Sequence, residues 1–147
     1  MLGHFADPKV GAVGAKLLHP NGTIQHAGVS VGENIATHQF LGLKESELGE
    51  NNVVRRVDAV TGACMLAKKD LFLELGGFDE ENLPIAYNYV DYCLKLREKG
   101  FKIIWTPEAK LFHRESASRK SDIGYSGEIF CDCKIEIIIQ KCLSRSE

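Results

Sequence analysis

The chain has 147 residues, of which 44% are apolar and 26% charged, and its formal net charge is −2. That length suits one domain burying roughly 68–70% of its unfolded surface, and the near-neutral charge excludes the basic footprint of a nucleic-acid or anionic-membrane binder. Apolar runs such as Ile137–Ile139 are far short of the ~18–20 residues of a membrane span, and no charged-then-apolar leader is evident, so a soluble, cytoplasmic protein, free or peripheral to a membrane, is expected.

The first predicted element is Val10-Gly-Ala-Val-Gly-Ala-Lys-Leu-Leu18, a β-branched and small-residue strand whose glycines permit close approach of neighbours. Asn21-Gly22 then separates it from Thr23–Val31, and Asn-Gly between two apolar runs predicts a hairpin closed by a type I′ turn. Residues 32–52 show no period and read as a surface loop. Val53–Ala67 is the most strand-like stretch, apolar on both alternating faces from Val57 onward, as in the middle of an α/β sheet.

A short helix is predicted over Asp70–Gly77, with Asp70 as N-cap and Gly76 as the left-handed stop. Ile85–Lys99 is the better helix: Val90, Cys93, Leu94 and the stem of Arg97 share a face, basic residues gather at its end, and Gly100 terminates it. Lys102–Trp105 reads as a strand stopped by Pro107, and Ala109–His113 as another. Strands and helices in this order indicate an α/β fold. The apolar stretch Ile135–Gln140 fits either a terminal helix or a strand.

Five cysteines are present. Cys64 and Cys93 sit within apolar patterns as small hydrophobes, while Cys131, Cys133 and Cys142 crowd the end. An odd count with uneven spacing argues against a disulfide scaffold. Cys-x-Cys with one distant cysteine also lacks the paired spacing of a zinc site.

Two groups of residues invite chemistry. Gly76-Gly77-Phe78-Asp79-Glu80-Glu81 places adjacent carboxylates after a glycine pair, which lets backbone approach a ligand closely. The same acids also suit the approach to a helix N-terminus, and Asp91 with Lys95 has the spacing of an i,i+4 surface pair. His113 ends a strand beside Arg114 and hydroxyls, a setting for a metal, a phosphate or a structural histidine. His26 and His38 have no partner spacing, and neither a phosphate-cradling glycine loop nor a nucleophile elbow occurs.

Taken in order, Val10–Leu18, Asn21-Gly-Thr-Ile-Gln-His-Ala-Gly28, Val60-Thr-Gly-Ala-Cys-Met-Leu66, Gly76-Gly-Phe-Asp-Glu80, Val90-Asp-Tyr-Cys-Leu-Lys-Leu96 and Thr106-Pro-Glu-Ala-Lys-Leu-Phe-His113 resemble family 2 glycosyltransferases. The rhamnosyltransferase-like branch that builds cell-surface polysaccharide is the most similar. The resemblance covers residues 8–119 and corresponds to the family's second, acceptor-side half, leaving 120–147 as a tail of undetermined structure.

It implies part of a GT-A fold, which is Rossmann-like, and transfer of a sugar from a nucleotide-sugar donor to a glycan or lipid-linked acceptor with inversion. The divalent metal (Mg or Mn) that the family uses is held mainly by an Asp-x-Asp motif of the first half, which this chain does not contain. The resemblance further implies that Thr61, Gly62 and Ala63 line the donor and acceptor cleft. Gly77, Asp79 and Glu80 would form the acceptor-side loop, and His113 would complete the metal or diphosphate site.

Inversion needs a base to take the acceptor's proton. The family's usual acid falls at Tyr89, a poor base with an ordinary pKa of ~10. Asp91 lies about 200° further round a helix of ~3.6 residues per turn and substitutes weakly. An isolated chain is therefore expected to have little activity, with an unpaired sheet edge and exposed apolar surface where the donor half would lie. The alternative is a non-catalytic module that binds glycan or a partner.

Overall fold

The computed structural model describes residues 1–32, 35–84 and 87–114. Seven strands and two α-helices occur among them: β1 Val10–Leu18, β2 Ile24–His26, β3 Val29–Val31, β4 Ala36–His38, β5 Arg55–Val57, β6 Met65–Ala67, α1 Lys69–Glu74, α2 Asn88–Glu98 and β7 Lys102–Phe112. Short 3-10 segments cover Leu2–Ala6, Glu45–Asn51 and Gly62–Cys64. The result is a mixed α/β architecture compatible with part of a Rossmann-like fold, as the sequence predicts.

The main sheet runs β2-β1-β7-β5, with β6 also paired to β1, and β3 and β4 form a separate two-stranded ribbon. β1 and β7 are parallel; β2 and β6 are antiparallel to β1, and β5 is antiparallel to β7. Every residue of β1 is buried, and the strand is paired along both edges. Its glycines are where neighbours come close: a Cβ on Gly11 would lie 2.9 Å from Leu96 Cδ2, and one on Gly14 only 2.4 Å from Val60 Cβ.

The hairpin after β1 forms, but not with a type I′ turn. Gly22 N–H donates to His19 O and His19 N–H to Thr23 O. Only Gly22 of the loop has positive φ, +83°. This is a three-residue loop, a turn over Pro20-Asn21 followed by a left-handed glycine. Pro20 presets the φ that a type I turn needs, and Asn21 Oδ1 accepts from the Thr23 amide and hydroxyl at 3.0 and 2.8 Å.

The continuous central strand predicted over Val53–Ala67 is instead two short strands on different partners. β5 lies at the end of the strand path against β7, and β6 lies against β1. Between them Ala59 exchanges backbone bonds with Val29, Asp58 Oδ2 accepts from the Val31 amide at 3.0 Å, and Thr61 caps the Gly62–Cys64 turn. The apolar residues Ala59 and Val60 are fully buried, but as a crossover rather than a strand. Conversely, the predicted loop over 32–52 contains β4 and a 3-10 segment, and the two predicted strands around Pro107 are one. Thr106 faces Ala15 while Lys110 faces Lys16, so Pro107–Ala109 bulge out of register and the missing proline N–H interrupts no ladder.

Both helices end as the glycines foretell. For α2, Gly100 N–H reaches Arg97 O and Phe101 N–H reaches Leu96 O, and for α1 Gly76 and Gly77 bond likewise to Leu73 and Phe72; each is the paired closure of a Schellman motif. The starts differ from expectation. Lys68, not Asp70, is the N-cap of α1, with Asp70 in its first turn, and Tyr87 caps α2 in left-handed geometry at φ 64°. Val90, Tyr92, Cys93, Leu94 and Leu96 are buried, so α2 buries more than the predicted face.

The core is centred on Trp105, Tyr92, Ile103 and Leu96, all without exposed surface; such side chains each stabilise the fold by roughly 1.5–3 kcal/mol. At the far end of β7, Leu111 and Phe112 are 45% and 66% exposed. β5 pairs with β7 only as far as Trp105. No helix among the described residues is long and apolar enough to cross a membrane. Cys131, Cys133, Cys142, the Ile135–Gln140 stretch and the tail lie outside the described residues.

Candidate functional site

Thr61–Gly62–Ala63 leaves the crossover after β5 and enters a 3-10 turn in which Thr61 Oγ1 accepts from Ala63 N–H at 3.3 Å. Thr61 is buried while Gly62 and Ala63 are exposed, so the turn forms an open wall on a fixed base. Tyr89, in the first turn of α2, stands against it: a Cβ on Gly62 would sit 3.4 Å from Tyr89 Cβ. Two segments, both singled out from sequence and 27 residues apart at the Gly62–Tyr89 contact, therefore meet.

The Gly76-Gly77 closure of α1 leads into a cleft of about 670 Å³ lined by Phe72, Leu75, Gly77, Phe78, Asp79, Glu80, Glu81 and Lys95. Its aromatic side is a cluster of three rings. Phe72 meets Phe78 and Tyr92 edge-on at 5.1 Å between ring centroids, and Phe78 meets Tyr92 at 6.0 Å. Asp79 is partly committed to its own turn, with Oδ1 accepting from the Asn82 amide at 2.9 Å and both oxygens accepting from Asn82 Nδ2. Glu80 and Glu81 stand exposed at the rim. Asp91 is bonded to Lys95 at 2.7 Å, the expected i,i+4 pair, which ties its carboxylate to the cation lining the cleft.

His113 lies elsewhere, at the carboxyl ends of the parallel strands β1 and β7, the end of an α/β sheet where ligands generally bind. Its amide donates to Leu18 O, and its Nδ1 is 2.9 Å from Gln25 Oε1. Among the described residues no three His, Cys, Asp or Glu side chains gather as a metal-holding group.

Sequence reasoning missed a second polar cluster. His26, fully buried, has Nδ1 3.1 Å from His38 Nδ1 and accepts from Thr61 N–H at Nε2, 3.3 Å away. Burial, His38 and the Arg55 cation hold it well below the ordinary histidine pKa of 6.5. Arg55 itself lies over the rings of Phe40 and Trp105, at 5.1 and 4.8 Å to their centroids, and donates to Gln39 Oε1 and Ala27 O. Those contacts fasten the β3–β4 ribbon to the sheet. No local signal connects His26 with His38, since a strand break and a ribbon intervene. Cys93 behaves as expected, its thiol pushed up to about 12 by burial and so kept unreactive.

No protein-family profile matches the chain. It is 42% identical over 120 residues to "O-antigen biosynthesis protein RfbC" of Myxococcus xanthus, an alignment covering 78% of this chain and 9% of that protein. It is 43% identical over 116 residues to "Uncharacterized protein y4gI" of Sinorhizobium fredii (strain NBRC 101917 / NGR234), covering 76% of this chain and 13% of that protein. The chain thus spans about a tenth of the length of these relatives, one of which is named for polysaccharide biosynthesis.

Proposed function

We propose that this chain is the acceptor-side portion of a family 2, inverting glycosyltransferase acting in cell-surface polysaccharide biosynthesis. It would work with a donor-binding half that supplies the nucleotide-sugar site. The observation that carries this reading is the 42% identity to an O-antigen biosynthesis protein. It is supported by the convergence of Gly62 and Tyr89 on the helix that also borders the carboxylate-rimmed cleft.

In this reading the acceptor sugar lies against Phe78, with its hydroxyls toward Glu80 and Glu81, and Thr61–Ala63 forms the wall between acceptor and donor. The described residues do not fit a divalent metal by themselves; His113 would contribute at most one ligand beside an Asp-x-Asp from elsewhere. Tyr89 stands where a proton acceptor is needed, and Asp91 is held by Lys95.

The test is sugar transfer by this chain fused behind the donor-binding half of a family 2 enzyme, assayed on a panel of nucleotide sugars with Mg²⁺ or Mn²⁺. Transfer that rises in Tyr89→Asp and falls in Gly62→Val supports the reading, and no transfer in either form counts against it. The isolated chain is expected to show none.

A second reading, a non-catalytic glycan-binding module, is favoured by the phenol at position 89. Calorimetry showing oligosaccharide binding by a fusion that never turns over would select it.

A further inference from the structure

The His26–His38 pair lies outside the residues assigned above, and the proton in its shared gap can be placed from its hydrogen bonds. A backbone N–H only donates, so His26 Nε2, which receives Thr61 N–H, carries no proton. The neutral ring then bears its proton on Nδ1 and donates it across 3.1 Å to His38 Nδ1, which must itself be bare. Each tautomer dictates the other: His26 is Nδ1–H and His38 is Nε2–H. Protonating His26 removes the acceptor of Thr61, and protonating His38 places two hydrogens in one gap.

Thr61 is the residue through which this order reaches the open wall. Its amide is fixed by His26, its hydroxyl caps the turn through Ala63 N–H, and Gly62 follows against Tyr89. We infer that His26, oriented by His38, is a positioning residue whose bare Nε2 sets the Thr61–Gly62–Ala63 wall opposite Tyr89. This role rests on the reading of that wall as part of a transfer cleft.

The surroundings favour the neutral pair. Burial and the Arg55 cation from β5, with His38 from β4, oppose protonation of His26. A bridging metal is disfavoured by that same cation and by the lack of a third ligand among the described residues.

The experiment is NMR on the ¹⁵N-labelled full chain. Long-range ¹H–¹⁵N spectra are expected to show His26 as the Nδ1–H tautomer and His38 as Nε2–H. In His26→Phe, amide exchange at Thr61 and Ala63 is expected to accelerate roughly tenfold or more while β1 and β7 stay protected, and His26→Gln, which restores an acceptor, should recover part of the protection. In His38→Phe, His26 should stay Nδ1–H, because the Thr61 N–H still requires a bare Nε2, while exchange at Thr61 rises less than in His26→Phe.

An Nε2–H tautomer in native His26, or unchanged exchange at Thr61 in a folded His26→Phe, would overturn the inference. The native spectrum decides it even where that variant does not fold. Adding UDP-glucose with Mg²⁺ to the donor-half fusion and following the Thr61–Ala63 amides tests the cleft assignment separately. Absent shifts there would remove the cleft assignment and leave the tautomers standing.

Discussion

The ammonium of Lys16, in the buried middle of β1, is bonded to the carboxylate of Glu45, 29 residues further along the chain. The lysine side chain is 2% exposed and the glutamate 31%. Asn52 takes a second Lys16 proton at 3.0 Å, and Lys110 reaches the other Glu45 oxygen at 3.2 Å. The contact pins the Glu45–Asn51 segment over the sheet.

Removing only the acid would leave a buried cation almost unpaired, which typically costs about 3 kcal/mol or more. Glu45→Ala should therefore lose about that much stability in urea unfolding, whereas Lys16→Met, similar in volume and uncharged, should stay within about 1.5 kcal/mol of the native chain. Equal losses would show the pair to be worth more than a packed apolar side chain.

Glycines separate into those required by contact and those required by conformation. Gly14→Ala would press a methyl to 2.4 Å from Val60 Cβ and should cost about 1–3 kcal/mol by overpacking. Gly62→Ala meets Tyr89 at an ordinary 3.4 Å and should be nearly neutral in thermal unfolding while narrowing the wall. If Gly62→Ala unfolds the protein as readily as Gly14→Ala, the open geometry at Gly62 is wrong.

His26 makes stability pH-dependent with a definite sign. Its folded pKa lies well below the ordinary 6.5, so between the two values the unfolded chain binds more protons than the folded one. Stability is therefore full above about pH 6.5 and falls as the pH drops toward the folded pKa, by at most ~1.4 kcal/mol per pH unit for one group. His26→Phe should flatten that part of the profile, as measured by denaturant midpoints between pH 7 and 5.

Tyr92 gives a prediction of opposite character. Its hydroxyl is buried without a hydrogen-bond partner among the described residues, and burial pushes its pKa up to about 12. Its ring is held by Phe72 and Phe78. Tyr92→Phe keeps those contacts and removes the unsatisfied group, so it should leave stability unchanged or raise it by about 1 kcal/mol. A loss above 1 kcal/mol would reveal a partner for the hydroxyl.

Elements whose information is local were legible in the residues. β1 follows from its apolar run, the ends of both helices from Gly76 and Gly100, and the Asp91–Lys95 pair from its spacing. Gly77, Asp79 and Glu80 line one cleft because they share one loop. Where partners are distant, local pattern misled. Val53–Ala67 looks like one buried strand, because burial and β-branching cannot tell a strand from a buried crossover, and only competition for the edges of β1 and β7 divides it. Pro107 looks like a stop, because a bulge exists only relative to the strand alongside.

The sequence by itself therefore determined the class of the fold, its punctuation and, through its ordered motifs, a likeness to a protein named for O-antigen biosynthesis. All of these depend on residues within a turn or two of one another. Tertiary structure alone decided that Gly62 faces Tyr89, that His113 bonds to Gln25 away from the cleft, and that His26 joins His38 to Thr61. Each of those contacts spans a dozen residues or more. The chain's turns bring such partners together, and the cost of leaving a polar group buried and unbonded settles which of them meet.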